Sequence, residues 1–249
     1  MTLSDAQLDR YARHIVLKEI GGDGQRRLLE ASAIVVGAGG IGSPVIQYLA
    51  AAGVGRLTVI DHDLVSLSNL QRQTLFTTGD QGHAKTSVAL ARIKALNPDV
   101  VAGEAARIDA ANAGGLLESA DVVVDGSDNF ATRLAVADAA LVRRIPLVSA
   151  SVAQFEGQLA VYRGWEPDKP CYRCLVGSDP GRPEASCSDQ GVLGALAGVM
   201  GSLAAMEAIR VVTGFGEDSA GKLLLVEALT LRFRTLNLPK DPGCPACGG

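Results

Sequence analysis

Between Ala33 and Gly42 a short apolar run passes straight into a glycine-rich one: Ala33-Ile34-Val35-Val36 is followed by Gly37-Ala38-Gly39-Gly40-Ile41-Gly42. Consecutive apolar residues read as a strand buried on both faces, and residues 41–52 read as a helix that tolerates Pro44 in its first turn. A strand entering a helix through a glycine turn is the opening of a parallel α/β sheet. Strands over 57–60, 122–124 and 147–149, with helices over 84–96 and 129–143, continue the alternation and predict right-handed crossovers. Past Ser151 the pattern changes: 158–162, 223–227 and 231–234 read as strands, with one helix over 192–212. The expected fold class is therefore α/β, a Rossmann-like mostly parallel sheet with flanking helices, extended by antiparallel strands. At the N-terminus, Ser4 and Gln7 have capping-box spacing, and Leu8, Tyr11, Ala12, Ile15 and Val16 recur at helical intervals, which predicts a first helix with one buried stripe.

Composition narrows the class further. A chain of 249 residues with 47% apolar side chains can bury a sizeable core. Its formal charge of -4 and the absence of a basic run argue against general binding to nucleic acid or to an anionic membrane. Met1-Thr2-Leu3-Ser4-Asp5 holds no signal-peptide core, and apolar runs reach only about ten residues, short of a membrane span. The expected setting is the cytoplasm.

Four of the five cysteines fall into two pairs, Cys171-Tyr172-Arg173-Cys174 and Cys244-Pro245-Ala246-Cys247. A two-residue spacer lets both sulfurs of a pair face one ion, so the set suits a closed tetrahedral zinc site. With no position left for water, such a zinc is structural and clamps the C-terminal tail onto the middle of the chain. Disulfides or four unrelated thiols are the competing readings.

The glycine turn itself points to a nucleotide. Glycines let the main chain approach a phosphate, and the helix that follows presents free amides and a partial positive charge. Asp61, at the end of the next strand, is placed to accept hydrogen bonds from ribose hydroxyls. These features do not say which nucleotide, and an NAD-dependent oxidoreductase bears the same fingerprint. Arg72 and Lys85, with Arg13, supply the extra positive charge that a triphosphate needs and a dinucleotide does not; each alone also reads as a solvated surface charge. Asp128 follows a predicted strand, where an α/β sheet presents its ligand crevice. Its carboxylate suits magnesium, while Asp128 or Asn129 also suits the cap of the following helix.

Taken together, Arg10-Tyr11-Ala12-Arg13-His14-Ile15, the glycine turn, Ser68-Asn69-Leu70-Gln71-Arg72-Gln73, Asp128-Asn129 and both cysteine pairs resemble the ubiquitin-activating-enzyme family, on its HesA/MoeB/ThiF branch. The resemblance runs nearly end to end. It implies a single adenylation domain over 1–249, with a nucleotide-binding half over 1–150 and a mixed half over 151–249 carrying the zinc site and the carrier-binding surface. It implies an ATP pocket lined by Gly40, Asp61, Ser68, Asn69, Leu70, Gln71, Arg72, Lys85, Asp128 and Asn129, with Mg2+ on Asp128. It implies a homodimer in which Arg13 reaches the neighbouring subunit's triphosphate, and Zn2+ on Cys171, Cys174, Cys244 and Cys247. Arg13, Arg72, Lys85 and Asp128 are the residues expected to carry catalysis.

The implied reaction joins AMP to the C-terminal glycine of a ubiquitin-like sulfur carrier ending in diglycine. Glu156-Gly157-Gln158 and Gly201-Ser202-Leu203 lean toward the molybdopterin-synthase adenylyltransferase members, with the thiamine-pathway carrier as the alternative. The chain closes at Gly249 just after the cysteines, so sulfur is expected from a separate persulfide-bearing protein. Cys187, in a polar loop before a predicted helix, is a further candidate for sulfur transfer or a bystander. Residues 164–190 are expected to form a long connection fixed only by its metal pair.

Overall fold

The computed structural model describes residues 2–105, 107–178 and 191–248. Helices α1 (Asp5–Arg10), α2 (Ala12–Ile15) and α3 (Gly21–Glu30) precede β1 (Ser32–Val36). Then α4 (Gly42–Ala52) leads to β2 (Arg56–Ile60), α5 (Lys85–Leu96) to β3 (Val101–Ala105), α6 (Ala113–Leu116) to β4 (Val122–Asp125), and α7 (Phe130–Arg143) to β5 (Leu147–Ala153). The chain continues through β6 (Glu156–Tyr162), α8 (Tyr172–Val176), α9 (Gly194–Thr213), β7 (Lys222–Glu227) and β8 (Arg232–Asn237).

All eight strands form one sheet in the order β3-β2-β1-β4-β5-β6-β7-β8. Pairs from β3 to β5 are parallel, and those from β5 to β8 are antiparallel. This is the mostly parallel, Rossmann-like sheet with antiparallel extension that the sequence predicts. The chain runs β1, β2, β3 in one direction and then returns to place β4 on the other side of β1. The crevice between the ends of β1 and β4 is thus the point where such sheets hold ligands.

Both faces of the parallel half are covered at its centre, which explains the apolar runs of β1 and β4. Val35, Val59 and Val124 face one way and pack with Leu28 of α3, Ile46 of α4, Ile93 of α5 and Met200 of α9. Ile34, Val36 and Val123 face the other and pack with Ala113 of α6, Val136 of α7 and Tyr172 of α8. Helix α9 is long and apolar enough to cross a membrane by length and composition alone. Here it is a core helix, with Leu196, Met200, Ala204 and Ala208 buried against the sheet and α4.

The N-terminal expectation needs correcting. The capping box at Ser4 and Gln7 is present, but the helix stops at Arg10 and restarts at Ala12. Tyr11 turns inward, 3% exposed, and its hydroxyl accepts a hydrogen bond from Asn97 Nδ2 at 2.9 Å. That long-range bond breaks the stripe: Leu8 and Val16 stay 44% and 73% exposed. The connection after β6 is also tied by more than its cysteines. Lys240 Nζ donates to the carbonyls of Gly164 and Glu166, and Arg173 grips Asp138.

Candidate active site

The glycine turn is built on close approaches that a side chain would prevent. A Cβ at Gly42 would lie 1.8 Å from the Gly37 carbonyl oxygen, so only glycine closes this turn into α4. At Gly40 a Cβ would meet Ala197 Cβ at 3.0 Å and Arg72 Cγ at 3.3 Å; the bare backbone is what lets the Arg72 stem cross the turn. No side chain caps α4; within its first turn the Ser43 and Val45 amides already donate to the Gly39 and Ile41 carbonyls and Pro44 has none, so the amides open to an anion are those of the glycine turn that leads into it. Gly40→Ala is expected to weaken nucleotide binding, because the added methyl group presses on Ala197 and pushes the Arg72 stem off the turn. Nucleotide titration of the folded variant checks this.

Asp61 ties the turn to the end of β2. Its Oδ2 accepts from the Ala38 amide at 2.7 Å and its Oδ1 from the Asp63 amide at 2.8 Å. Each oxygen keeps a further lone pair for a ligand hydroxyl. Lys85, at the start of α5 and 3% exposed, is bonded through Nζ to Asp63 Oδ2 at 2.8 Å. Burial pushes the Asp63 carboxyl up, but the Lys85 bond and charge outweigh it and hold the group below the usual carboxylate range. Arg72 is half-buried, with long bonds of 3.3 Å from Nη1 to the Ser68 carbonyl and from Nη2 to Asn69 Oδ1.

The turn from β4 into α7 is stiffened from within. Asp125, 1% exposed, accepts at Oδ1 from the Ser127 amide at 3.0 Å and the Ser127 hydroxyl at 2.6 Å. Asn129 caps α7 by accepting from the Thr132 amide at 2.9 Å. Asp128 is left with no such duty: it is exposed to the cleft, and its carboxylate has no hydrogen bond or ion pair among the described residues.

These parts surround a cleft of about 1370 Å³. Gly40, Asp61, Asn69, Arg72, Lys85, Asp128 and Asn129 line it together. Ser68, Leu70 and Gln71 do not: Ser68 pairs with the Ser66 hydroxyl, Leu70 packs on the core, and the Gln71 carbonyl lies against Gly194. Arg13 is exposed on α2 and away from this cleft. Several lining residues carry no site assignment from the sequence, Gln73 and Arg133 among them. Gln73, 4% exposed, has its Oε1 unpartnered, and its place beside Arg72 was the available signal. Arg133 is buried beneath the Asp128 turn; nothing local distinguishes it from a surface arginine of a helix.

The four paired cysteines converge. Sulfur separations are 3.9 Å for Cys171 and Cys174, 3.6 Å for Cys171 and Cys244, and 3.5 Å for Cys174 and Cys247, and all four lie within 4.8 Å of one another. A tetrahedron with bonds of about 2.3 Å has edges of about 3.8 Å, whereas a disulfide needs about 2.05 Å. The donor set and its spacing fit zinc. Burial pushes the Cys171 thiol well up. At Cys244 burial acts the same way but is outweighed by bonds from the Ala246 and Cys247 amides, which bring it to about 7. Cys187 lies outside the described residues.

Fold and cleft together define a doubly wound α/β protein with an anion-ready crevice at its switch point. The chain belongs to the ThiF family, matched over residues 11–246. It is 48% identical to the sulfur carrier protein adenylyltransferase of Thermus thermophilus, over 100% of this chain and 93% of that one. It is 40% identical to the molybdopterin-synthase adenylyltransferase of Escherichia coli, over 99% and 98% of the two chains. The crystal structure of E. coli MccB with ATP matches with a TM-score of 0.83 at 24% identity, over 96% of this chain and 74% of that one, which is a likeness of fold.

Proposed function

We propose that this protein uses ATP to adenylate the C-terminal glycine of a ubiquitin-like sulfur carrier, releasing pyrophosphate, in molybdopterin biosynthesis. The cleft itself carries the reading. At about 1370 Å³ it exceeds the roughly 300–1,000 Å³ of a small-molecule site. From the glycine turn it passes Asp128 and extends along Gln158, Ala160, Leu223 and Leu225 of β6 and β7. One end offers amides, Arg72 and Lys85 to phosphates; the other is an apolar lane suited to an extended chain end. The Thermus thermophilus relative is named for adenylating a sulfur carrier protein and the Escherichia coli one for adenylating molybdopterin synthase, which supports a reading with a protein chain end as the second substrate.

In this reading the carrier's carboxylate oxygen attacks the α-phosphorus, its bond to pyrophosphate breaks, and an acyl adenylate forms. Two anions must be held in line, so the protein's contribution is positioning and charge. Arg72 and Lys85 offset the repulsion, Asp61 holds the ribose, and the amides of the glycine turn before α4 cradle phosphate oxygens. Asp128 would hold magnesium, which neutralises the triphosphate when bound. The four cysteines would hold zinc as a structural clamp. Free thiols at these separations fit a reducing cytoplasm. Sulfur would then come from a separate persulfide donor.

The exposed Leu8, Val16 and Leu17 flank Arg13 with apolar surface of the kind a partner covers. The active form would be a homodimer with Arg13 in the neighbour's cleft. Arg13→Ala and Asp128→Asn variants, each nearly inactive, should regain about a quarter of normal activity when unfolded and refolded together, since half the dimers are mixed and each has one intact site. No regain would remove Arg13 from the neighbour's site. ATP–pyrophosphate exchange with purified molybdopterin-pathway and thiamine-pathway carriers tests the main reading: exchange with the first is expected, exchange only with the second reassigns the pathway, and exchange with neither rejects adenylation of these carriers.

A further inference from the structure

Gln73 is a polar side chain in a place that suits an apolar one. It is 4% exposed, and its Oε1 is buried with no hydrogen-bond partner among the described residues. The backbone on either side holds it there: the Gln73 amide donates to the Asn69 carbonyl at 2.9 Å, its carbonyl accepts from the Phe76 amide at 3.1 Å, and Leu75 and Phe76 are sunk in the core. A stranded carbonyl costs stability, so packing alone would be better served by methionine. The amino end of the same amide lies against the glycine turn. Gln73 Nε2 is 3.8 Å from where a Cβ on Gly39 would stand, and no other described atom beyond Gly39's chain neighbours comes within 4 Å of that point. Gln73 and Gly39 both line the cleft.

The groups that face the turn follow its chain order. Ala38 gives its amide to Asp61, the carboxylate placed for ribose. Gly39 is next and faces Gln73 Nε2, and Gly40 is crossed by the Arg72 stem. A nucleotide laid along the turn from Asp61 toward Arg72 meets Gln73 directly after its ribose, where its α-phosphate stands. We propose that Gln73 is a further nucleotide-binding residue, whose Nε2 donates a hydrogen bond to an α-phosphate oxygen. In the adenylation reading, on which this assignment rests for the cleft's occupant, the α-phosphorus is the atom that the carrier carboxylate attacks. An uncharged donor fixes one oxygen of that phosphate without drawing the incoming carboxylate out of line, as another cation beside Arg72 and Lys85 would.

Gln73→Met keeps the length of the side chain and removes both polar ends. The full-length variant should melt at or above the temperature of the unmodified protein, because the stranded carbonyl is gone. In calorimetric titrations its affinity for AMP and for ATP should fall roughly tenfold, as for one lost hydrogen bond to a charged group, while its affinity for adenosine stays the same. The step between adenosine and AMP isolates the α-phosphate, which a merely structural role would not single out. Unchanged AMP affinity would overturn the assignment. So would an equal loss for adenosine and AMP, a loss that begins only at the second phosphate, or a lower melting temperature with affinities intact. If Gln73→Met folds poorly, Gln73→Glu keeps the shape and, at about pH 8, sets a negative charge against the phosphate; AMP should then weaken far more than adenosine, and equal weakening would reject the contact. An unmodified protein that binds AMP and ATP but exchanges no pyrophosphate with any carrier would reject the adenylation reading instead, and the titrations would still decide the role of Gln73.

Discussion

Asp128→Asn is expected to slow carrier-dependent ATP–pyrophosphate exchange about 10²- to 10³-fold, the scale of removing one preorganised electrostatic group from a reacting centre. Its melting temperature should match the unmodified protein's. Both halves follow from one observation: the Asp128 carboxylate has no partner among the described residues. The structural work of its turn belongs to neighbours, with Asp125 bracing Ser127 and Asn129 capping α7. Asparagine preserves the shape and removes the charge, so the loss isolates electrostatics from folding. Lys85 offers no such clean separation, because its removal also strips Asp63 of its ion-pair partner. Activity within about threefold of normal would be too small for a metal-holding carboxylate and would leave Asp128 as no more than a polar wall of the cleft.

The glycine turn was legible because its causes are local. Strand, turn and helix lie within one stretch, and the observed boundaries at Val36 and Gly42 fall where apolar run and glycines meet. The cysteine cluster was legible for a similar reason, since each pair is preorganised by its own spacing. What stayed hidden depends on distant partners. The break at Tyr11 needs Asn97, which nothing near Tyr11 announces. Arg133 reads as a helix surface charge until β5 brings Ser149 and Ala150 to it. Helix α3 begins Gly21-Gly22-Asp23-Gly24, a composition that opposes helix formation; it is held by the burial of Leu28 and by Gln25, which donates to the Ala52 carbonyl. The edge strand β3 carries Val-Ala-Gly-Glu-Ala, too few apolar residues for a strand signal, because it pairs on one side only.

Cys244→Ser is expected to give the largest stability loss of any single substitution in the C-terminal half. Cys171 and Cys244 are 4% and 2% exposed, so without a metal the cluster is a set of crowded, buried thiols. With zinc bound, closure of such a site contributes about 10–16 kcal/mol in small domains, more than the whole net stability of many proteins. Here the loss should be felt first in residues 239–248. Among the described contacts, this segment is otherwise held chiefly by Lys240 on the Gly164 and Glu166 carbonyls and by the Asp241 amide on Cys174 Sγ. The variant should therefore contain little zinc, lose exchange protection in the tail, and melt well below the unmodified protein. A chelator should reproduce those effects, and more readily as pH falls, because protons compete with zinc for the thiolates. The four sulfurs converge from two segments far apart in sequence, and apart from α8 and the tail the sheet already has its own two-faced core. Loss of the cluster should thus unfasten the C-terminal region before it melts β1 to β5, giving two transitions where the intact protein shows one. Full metal content in Cys244→Ser, or an unaltered melting curve in verified metal-free protein, would show that packing alone holds the tail.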